Sequence, residues 1–230
     1  MTYPLRVFVV LTEVSADEHL PLFPALSALS GVSPLTRVYR AARDLYGSSV
    51  TVLAPAQTRP ELAAHLPADA LVHTWQQKDR GELRLNAVRE AARLSGKDEA
   101  VLLVDAERAL CDSAALRSVS ELAPHLGRCA AIAPTVDVTD SVKEVTATGL
   151  RNVDRSRLGV VQGPRLFAPG VLQDLVRDAR GEGWDEIHAL ASAGAEIATL
   201  PGAFAYFPVL DRLSLWQAEI SLGHTAHAAR

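Results

Sequence analysis

Ala100-Val101-Leu102-Leu103-Val104-Asp105-Ala106-Glu107-Arg108 carries an unbroken apolar run that stops abruptly at an acid. Five apolar residues are too few for an ordinary helix. A run with no polar side reads as a strand covered on both faces, as parallel sheets are. Similar short runs occur at residues 5–11, 49–54, 70–73, 129–133 and 196–200. Helical patterns separate them, so the fold class is α/β, with a mostly parallel sheet between helical layers.

The helices carry their own punctuation. Ser33 is placed to cap a helix with Pro34 in its first turn, running towards Leu45. Leu83, Ala87, Ala91 and Leu94 recur at helical spacing, and Asp112 or Ser113 caps another helix. A fourth helix is expected after Pro169, with Val171, Leu172, Leu175, Val176 and Ala179 on one stripe. A last one spans about residues 210–222, followed by a frayed tail. His224 and His227 in that tail lack acidic or cysteine partners for a metal.

Bulk properties narrow the function classes. The 230 residues fit one domain, with no repeat or linker to divide them. The formal charge of -4 leaves no basic footprint for nucleic acid. The opening apolar run is too short for a membrane span or a signal segment. Cys111 and Cys129 have neither metal spacing nor the numbers for a disulfide framework, which points to the cytoplasm.

Residues 136–145 alternate polar and apolar with period two, Thr148-Gly149 supplies a turn, and residues 150–154 extend again. This pattern predicts a projecting hairpin over 136–155. A lone hairpin is marginally stable, so a second copy of the chain is its expected support, and the protein is expected to be a homodimer.

Ligands of an open parallel sheet gather beyond the carboxyl ends of its strands. The loop of residues 12–24, the segment from Asp105 to Arg108, and residues 154–165 with Asp185-Glu186 are the candidates for that edge. Asp105 can hold a divalent metal there, or it can merely cap the following turn. Arg108 can clamp a phosphate, or stand in solvent. No nucleophile elbow, Walker loop or dinucleotide fingerprint follows the first strand.

Several segments, in order, resemble the methylerythritol-phosphate cytidylyltransferase family. Asp105-Ala106-Glu107-Arg108 is similar to the core of its His-Asp-Ala-Ala-Arg-Pro, without the His and Pro. Val138-Thr139-Asp140-Ser141-Val142-Lys143 resembles Val-Thr-Asp-Thr-Ile-Lys, and Val153-Asp154-Arg155-Ser156-Arg157-Leu158 resembles Val-Asp-Arg-Ser-Gly-Leu. Residues 161–167 are similar to Gln-Thr-Pro-Gln-Gly-Phe. The resemblance implies a Rossmann-like nucleotidyltransferase fold of the GT-A type, dimerising through a projecting β-arm. It further implies CTP and a polyol phosphate as substrates in isoprenoid precursor synthesis. It assigns magnesium to Asp105 and substrate contacts to Arg108, Ser141, Arg155 and Asp185.

The same resemblance fails at the first loop. Where the family reads Ala-Ala-Gly-x-Gly-x-Arg-Met and then Pro-Lys, this chain has Val14, Ala16 and Glu18 for the two glycines and the arginine. Ala25 stands for the lysine. Glycine lets backbone N–H groups approach a triphosphate, and the two cations neutralise charge in the transition state. Glu13, Asp17 and Glu18 would instead repel CTP, unless the acidic loop itself binds metal. Leu83 replaces a serine that lies against the cytosine, and Phe204–Tyr206 with Phe207 replace a segment bearing a phosphate-binding lysine. The expected outcome is a divergent family member with lost or severely weakened catalysis, or a non-catalytic partner subunit.

Overall fold

In a computed structural model, residues 3–77 and 80–228 are described, without the side chains of Arg80 and of residues 224–228. Four strands form the parallel heart of the sheet: β1 (Leu5–Val10), β2 (Val50–Pro55), β3 (Leu71–Trp75) and β4 (Ala100–Asp105). Beyond them come β5 (Ala131–Asp137), the arm strands β6 (Val142–Thr146) and β7 (Gly149–Val153), and then β8 (Gly159–Val161), β9 (Arg165–Phe167) and β10 (Ile197–Pro201). Across the main sheet the order is β10-β5-β9-β4-β1-β2-β3, with β8 pairing antiparallel to β5. The α/β class and the mostly parallel sheet expected from the apolar runs are therefore observed.

The helices are α1 (Pro34–Tyr46), α2 (Arg59–Leu62), α3 (Leu83–Leu94), α4 (Ser113–Ser120), α5 (Val171–Leu175), α6 (Glu186–Ser192) and α7 (Arg212–Ala228). The chain leaves β1 through α1 to reach β2 on one side. It returns from β3 through α3 to β4 on the other side of β1. Right-handed crossovers in opposite directions place α1 and α3 on opposite faces of the sheet. Accordingly α1 packs with α4, and α3 with α5. Between these layers Phe8, Leu53, Leu102, Leu103, Ile132 and Phe167 are fully or almost fully buried.

Local chemistry explains the helix ends. Ser33 Oγ accepts the Thr36 N–H, and Asp112 caps α4 by accepting the Ala115 N–H. The helix expected after Pro169 is shorter than its stripe, because α5 stops at Leu175 and Ala179 lies outside it. There the Ala179 carbonyl accepts from Arg89 Nη2, and Gly181 and Gly183 take positive φ as the chain turns back towards α6. The last helix, by contrast, outruns its expected end at residue 222 and takes in much of the tail expected to fray. The side chains of His224 and His227 lie outside the described residues.

Two strands escaped the sequence pattern. Each of β8 and β9 is three residues long, and β9 inserts antiparallel between β4 and β5. Because β9 runs opposite to β4, its first residue, Arg165, pairs with Leu103 near the carboxyl end of β4. An arginine is thereby delivered to the edge where Asp105 emerges.

Residues 142–153 form the two-stranded sheet β6-β7, separate from the main sheet; this is shorter than the hairpin expected over 136–155, because Val136 and Asp137 pair with β8 as the end of β5. Its apolar residues Val145 and Leu150 are 82% and 71% exposed, which makes it a projecting arm with an uncovered face.

Candidate functional site

At the carboxyl edge of β1 and β4 lies a cleft of about 450 Å³. Its wall includes Thr12, Glu13 and Val14 from the first loop, Arg84 from α3, and Asp105, Glu107 and Arg108 after β4. Arg165, Glu182 and Asp185 add to the polar lining. A larger depression of about 780 Å³ beside α1 shares no lining residue with this cleft, and its Arg43 is paired with Asp69 and Tyr39.

Asp105 is 7% exposed and is held by two arginines. Arg84 Nη1 donates to Oδ1 at 2.5 Å, and Arg108 Nε donates to Oδ2 at 3.0 Å. Burial would push the Asp105 carboxyl up, but Arg84, Arg165 and Arg108 outweigh it and hold the group well below the usual carboxylate range. Arg84 reaches further, with Nε on Glu186 Oε2 at 2.9 Å and Nη2 on Glu186 Oε1. Arg165 Nη1 meets Glu186 Oε1 and Asp185 Oδ2, each at 2.7 Å. Glu186 has no exposed surface; burial raises its pKa, yet Arg84 and Arg165 bring it down to about 2. Asp185 also caps α6, its Oδ1 accepting the Ile187 and His188 N–H groups.

Glu107 forms the second half of the cleft. Its side chain is completely buried, and Oε1 accepts the backbone N–H groups of Thr12 and Glu13, both at 3.2 Å. Oε2 has no hydrogen-bond partner among the described residues. Burial first, then the nearby Asp105 and Glu13, push the Glu107 carboxyl up to about 8. A side-chain carboxyl group thus sits on the two first-loop amides that point into this edge of the sheet.

The residues singled out from sequence are distributed unevenly. Asp105, Arg108, Asp185 and Val14 line the cleft. Arg108 does not stand free in solvent: besides Asp105 it donates through Nη1 to the Tyr206 carbonyl at 2.5 Å. Ser141 and Arg155 lie apart at the base of the arm, where both are exposed and Arg155 Nη1 donates to the Thr139 carbonyl. A second cleft of about 400 Å³, lined by Arg108, Thr139, Asp140 and Phe207, lies between the two groups. Ala16 and Glu18 are exposed, whereas Ala25 is fully buried in the turn Pro24–Leu26. Of the aromatic residues in the C-terminal part of the chain, Trp184, Tyr206 and Phe207 are partly buried, while Trp216 is 57% exposed.

The acidic first loop is tied down by other means. Ser15 Oγ donates to the Leu210 carbonyl, and Asp17 Oδ2 accepts the Arg212 N–H. Among the described residues no group of three or more His, Cys, Asp or Glu is placed to hold a metal ion. Nor do the residues around Asp105 fit magnesium as they stand. Both carboxylate oxygens carry a guanidinium group, and Arg165 adds a third positive charge nearby.

The model of the family described as 2-C-methyl-D-erythritol 4-phosphate cytidylyltransferase matches residues 25–224. The chain belongs to that family. A 2-C-methyl-D-erythritol 4-phosphate cytidylyltransferase from Saccharopolyspora erythraea is 33% identical over 193 residues, covering 77% of this chain and 81% of its own. Among solved structures, the 4-diphosphocytidyl-2C-methyl-D-erythritol synthase of Anaerococcus prevotii superposes with a TM-score of 0.76 at 10% identity. It covers 97% of this chain and 100% of its own. The Thermus thermophilus 2-C-methyl-D-erythritol 4-phosphate cytidylyltransferase gives a TM-score of 0.69 at 20% identity, over 95% and 98% of the two chains. At such identities the superpositions speak for the nucleotidyltransferase fold alone. The family match opens at Ala25, so the divergent loop of residues 12–24 falls outside it.

Glu107, Arg165 and Glu186 fall within segments placed at this edge from sequence but received no individual role, and Arg84 received none at all. The one local signal was the charged cluster that follows the apolar run of β4, which includes Glu107. Their pairing spans 21 to 102 residues of chain and had no periodicity to announce it.

Proposed function

We infer that this cytidylyltransferase-family chain has lost, or retains only severely weakened, transfer of CMP from CTP to a polyol phosphate. The alternative is a non-catalytic paralogue that serves as a partner or regulatory subunit in isoprenoid precursor synthesis. The observation that carries the reading is Glu107 on the Thr12 and Glu13 amides. Backbone N–H groups in this kind of loop are what a triphosphate would need, and here a carboxyl group of the same chain already holds them. The loop adds nothing to compensate. Val14 brings a branched side chain, Glu18 a negative charge, and Ala25 no charge at all. Removing one contact that stabilises transition-state charge typically slows transfer about 10²–10³-fold, and two are replaced here.

The whole chain is taken as a single nucleotidyltransferase-like domain. It is taken to form a homodimer through the arm at residues 136–155, whose apolar residues Val145 and Leu150 await a cover. A cytoplasmic setting suits two buried, unpaired cysteines, and among the described residues no helix is long and apolar enough to cross a membrane. Residual binding of a polyol phosphate is favoured by one feature, the open second cleft between Arg108 and the base of the arm that bears Ser141 and Arg155.

Calorimetric titration with CTP and magnesium tests the reading. The expected dissociation constant is millimolar or weaker, and the expected CMP transfer to methylerythritol phosphate is not measurable. Micromolar CTP affinity, or transfer abolished by Asp105→Ala, would overturn it.

A further inference from the structure

We propose that Arg84 is a built-in cation: it occupies the carboxylate on which a divalent metal would have to sit, and it makes this cleft independent of metal. The proposal rests on the reading of a closed site given above, and it adds which side chain closes the metal's side of it. Three observations carry it.

The first is connectivity. One guanidinium group bridges two carboxylates, with Nη1 on Asp105 and Nε and Nη2 on Glu186. Planar guanidinium makes such a two-pronged contact without losing its charge, and it is less strongly hydrated than a metal ion. Metal could reach Asp105 Oδ1 only by expelling Arg84, which would also take two of the three hydrogen bonds from the fully buried Glu186. Breaking a buried ion pair from one side leaves an uncompensated charge, so the exchange is strongly opposed.

The second is charge balance. Arg84, Arg108 and Arg165 face Asp105, Asp185 and Glu186, three positive groups against three negative ones. Each carboxylate of this ion-paired set is already matched by a guanidinium group. A dication at Asp105 would meet three guanidinium groups in a site where Arg84 and Asp105 side chains are only 14% and 10% exposed, with Glu13 as the further acid beside them. The third is ligand supply. Glu107 is committed through Oε1 to two amides, and no set of three suitable ligands forms among the described residues.

The test uses manganese as the spectroscopic stand-in for a divalent ion, with the full-length protein. The free-manganese electron paramagnetic resonance signal should be undiminished by the unmodified chain at about millimolar protein, and magnesium should leave its melting temperature unchanged. Stoichiometric manganese binding that disappears in Asp105→Asn would overturn the proposal. Arg84→Met keeps the stem and frees Asp105 Oδ1, so manganese affinity should rise at least about tenfold and fall again when Asp105→Asn is added. Since Arg84→Met leaves Glu186 with Arg165 alone, Arg84→Met combined with Glu186→Gln is measured beside it. A folded variant of either kind that binds no more manganese than the parent would overturn the role given to Arg84. The two readings fail separately. CMP transfer by a parent chain that binds no manganese would sink the loss of catalysis and leave Arg84 in place. Manganese bound at Asp105 without CTP affinity would do the reverse.

Discussion

Glu107 concentrates the conflict between burial and charge in this cleft, and its titration gives a direct measurement. The folded chain retains the Glu107 proton up to about pH 8, against 4.5 for the ordinary group. Between those values the folded state binds more protons than the unfolded one. The stability contributed by this group is therefore complete below about pH 4.5 and is lost as pH rises through 8. Glu107→Gln keeps an oxygen for the Thr12 and Glu13 amides and removes the titration. The melting temperature of Glu107→Gln relative to the parent should accordingly climb from pH 5 to pH 8, by on the order of 10 °C. A difference that stays constant across that range would show that Glu107 does not titrate as described. At this scale the sequence was only half legible. Asp105 could be placed at a strand tip because a run of five apolar residues precedes it. Glu107, two residues later, belongs to a residue type that is almost never fully buried without a partner, so composition argued for solvent. Arg84 drew no reading of its own, and nothing local tied it to Asp105 and Glu186.

At the scale of elements the periodic signals held where an element buries a continuous face, and failed where tertiary contacts set its length. Ser33 and Pro34 mark the start of α1 by local hydrogen bonding alone, so Ser33→Ala should cost about 1 kcal/mol in chemical denaturation. No such cap fixes the end of α5, where the turn towards α6 overrides the apolar stripe. Strand β9 was hidden for a different reason, since three residues beginning with arginine show no alternation. Its place between β4 and β5 comes from long-range pairing. The arm was legible because its two strands are neighbours in sequence and the turn between them is short. That arm yields a prediction about assembly. Val145 and Leu150 sit on paired positions of β6 and β7 and pack against nothing in the main core. Replacing both by lysine should turn the expected homodimer into a monomer in sedimentation while leaving the folded core intact. A parent chain that already sediments as a monomer would remove the arm's proposed role.

For the whole molecule, the question is whether the family's chemistry was lost at one loop or sealed throughout the cleft. If only the loop matters, Val14→Gly, Ala16→Gly, Glu18→Arg and Ala25→Lys together should rebuild an anion cradle. The geometry argues otherwise. Ala25 has no exposed surface, and a lysine there starts from a buried position where an unpaired charge costs several kcal/mol. Even a lysine that reached the cleft would find the Thr12 and Glu13 amides held by Glu107, and Asp105 held by Arg84 and Arg108. The four-residue repair should therefore release no measurable pyrophosphate from CTP and methylerythritol phosphate. Adding Glu107→Ala and Arg84→Val empties the two positions that side chains of the chain itself now fill. Transfer should then become detectable, and the gain should appear in turnover more than in substrate affinity, because the restored contacts act on charge that develops in the transition state. It should remain weak while Leu83 and the Phe204–Tyr206 turn stay as they are. Full recovery by the loop repair alone would mean that Glu107 and Arg84 yield readily to substrate, and that the cleft is merely resting rather than closed.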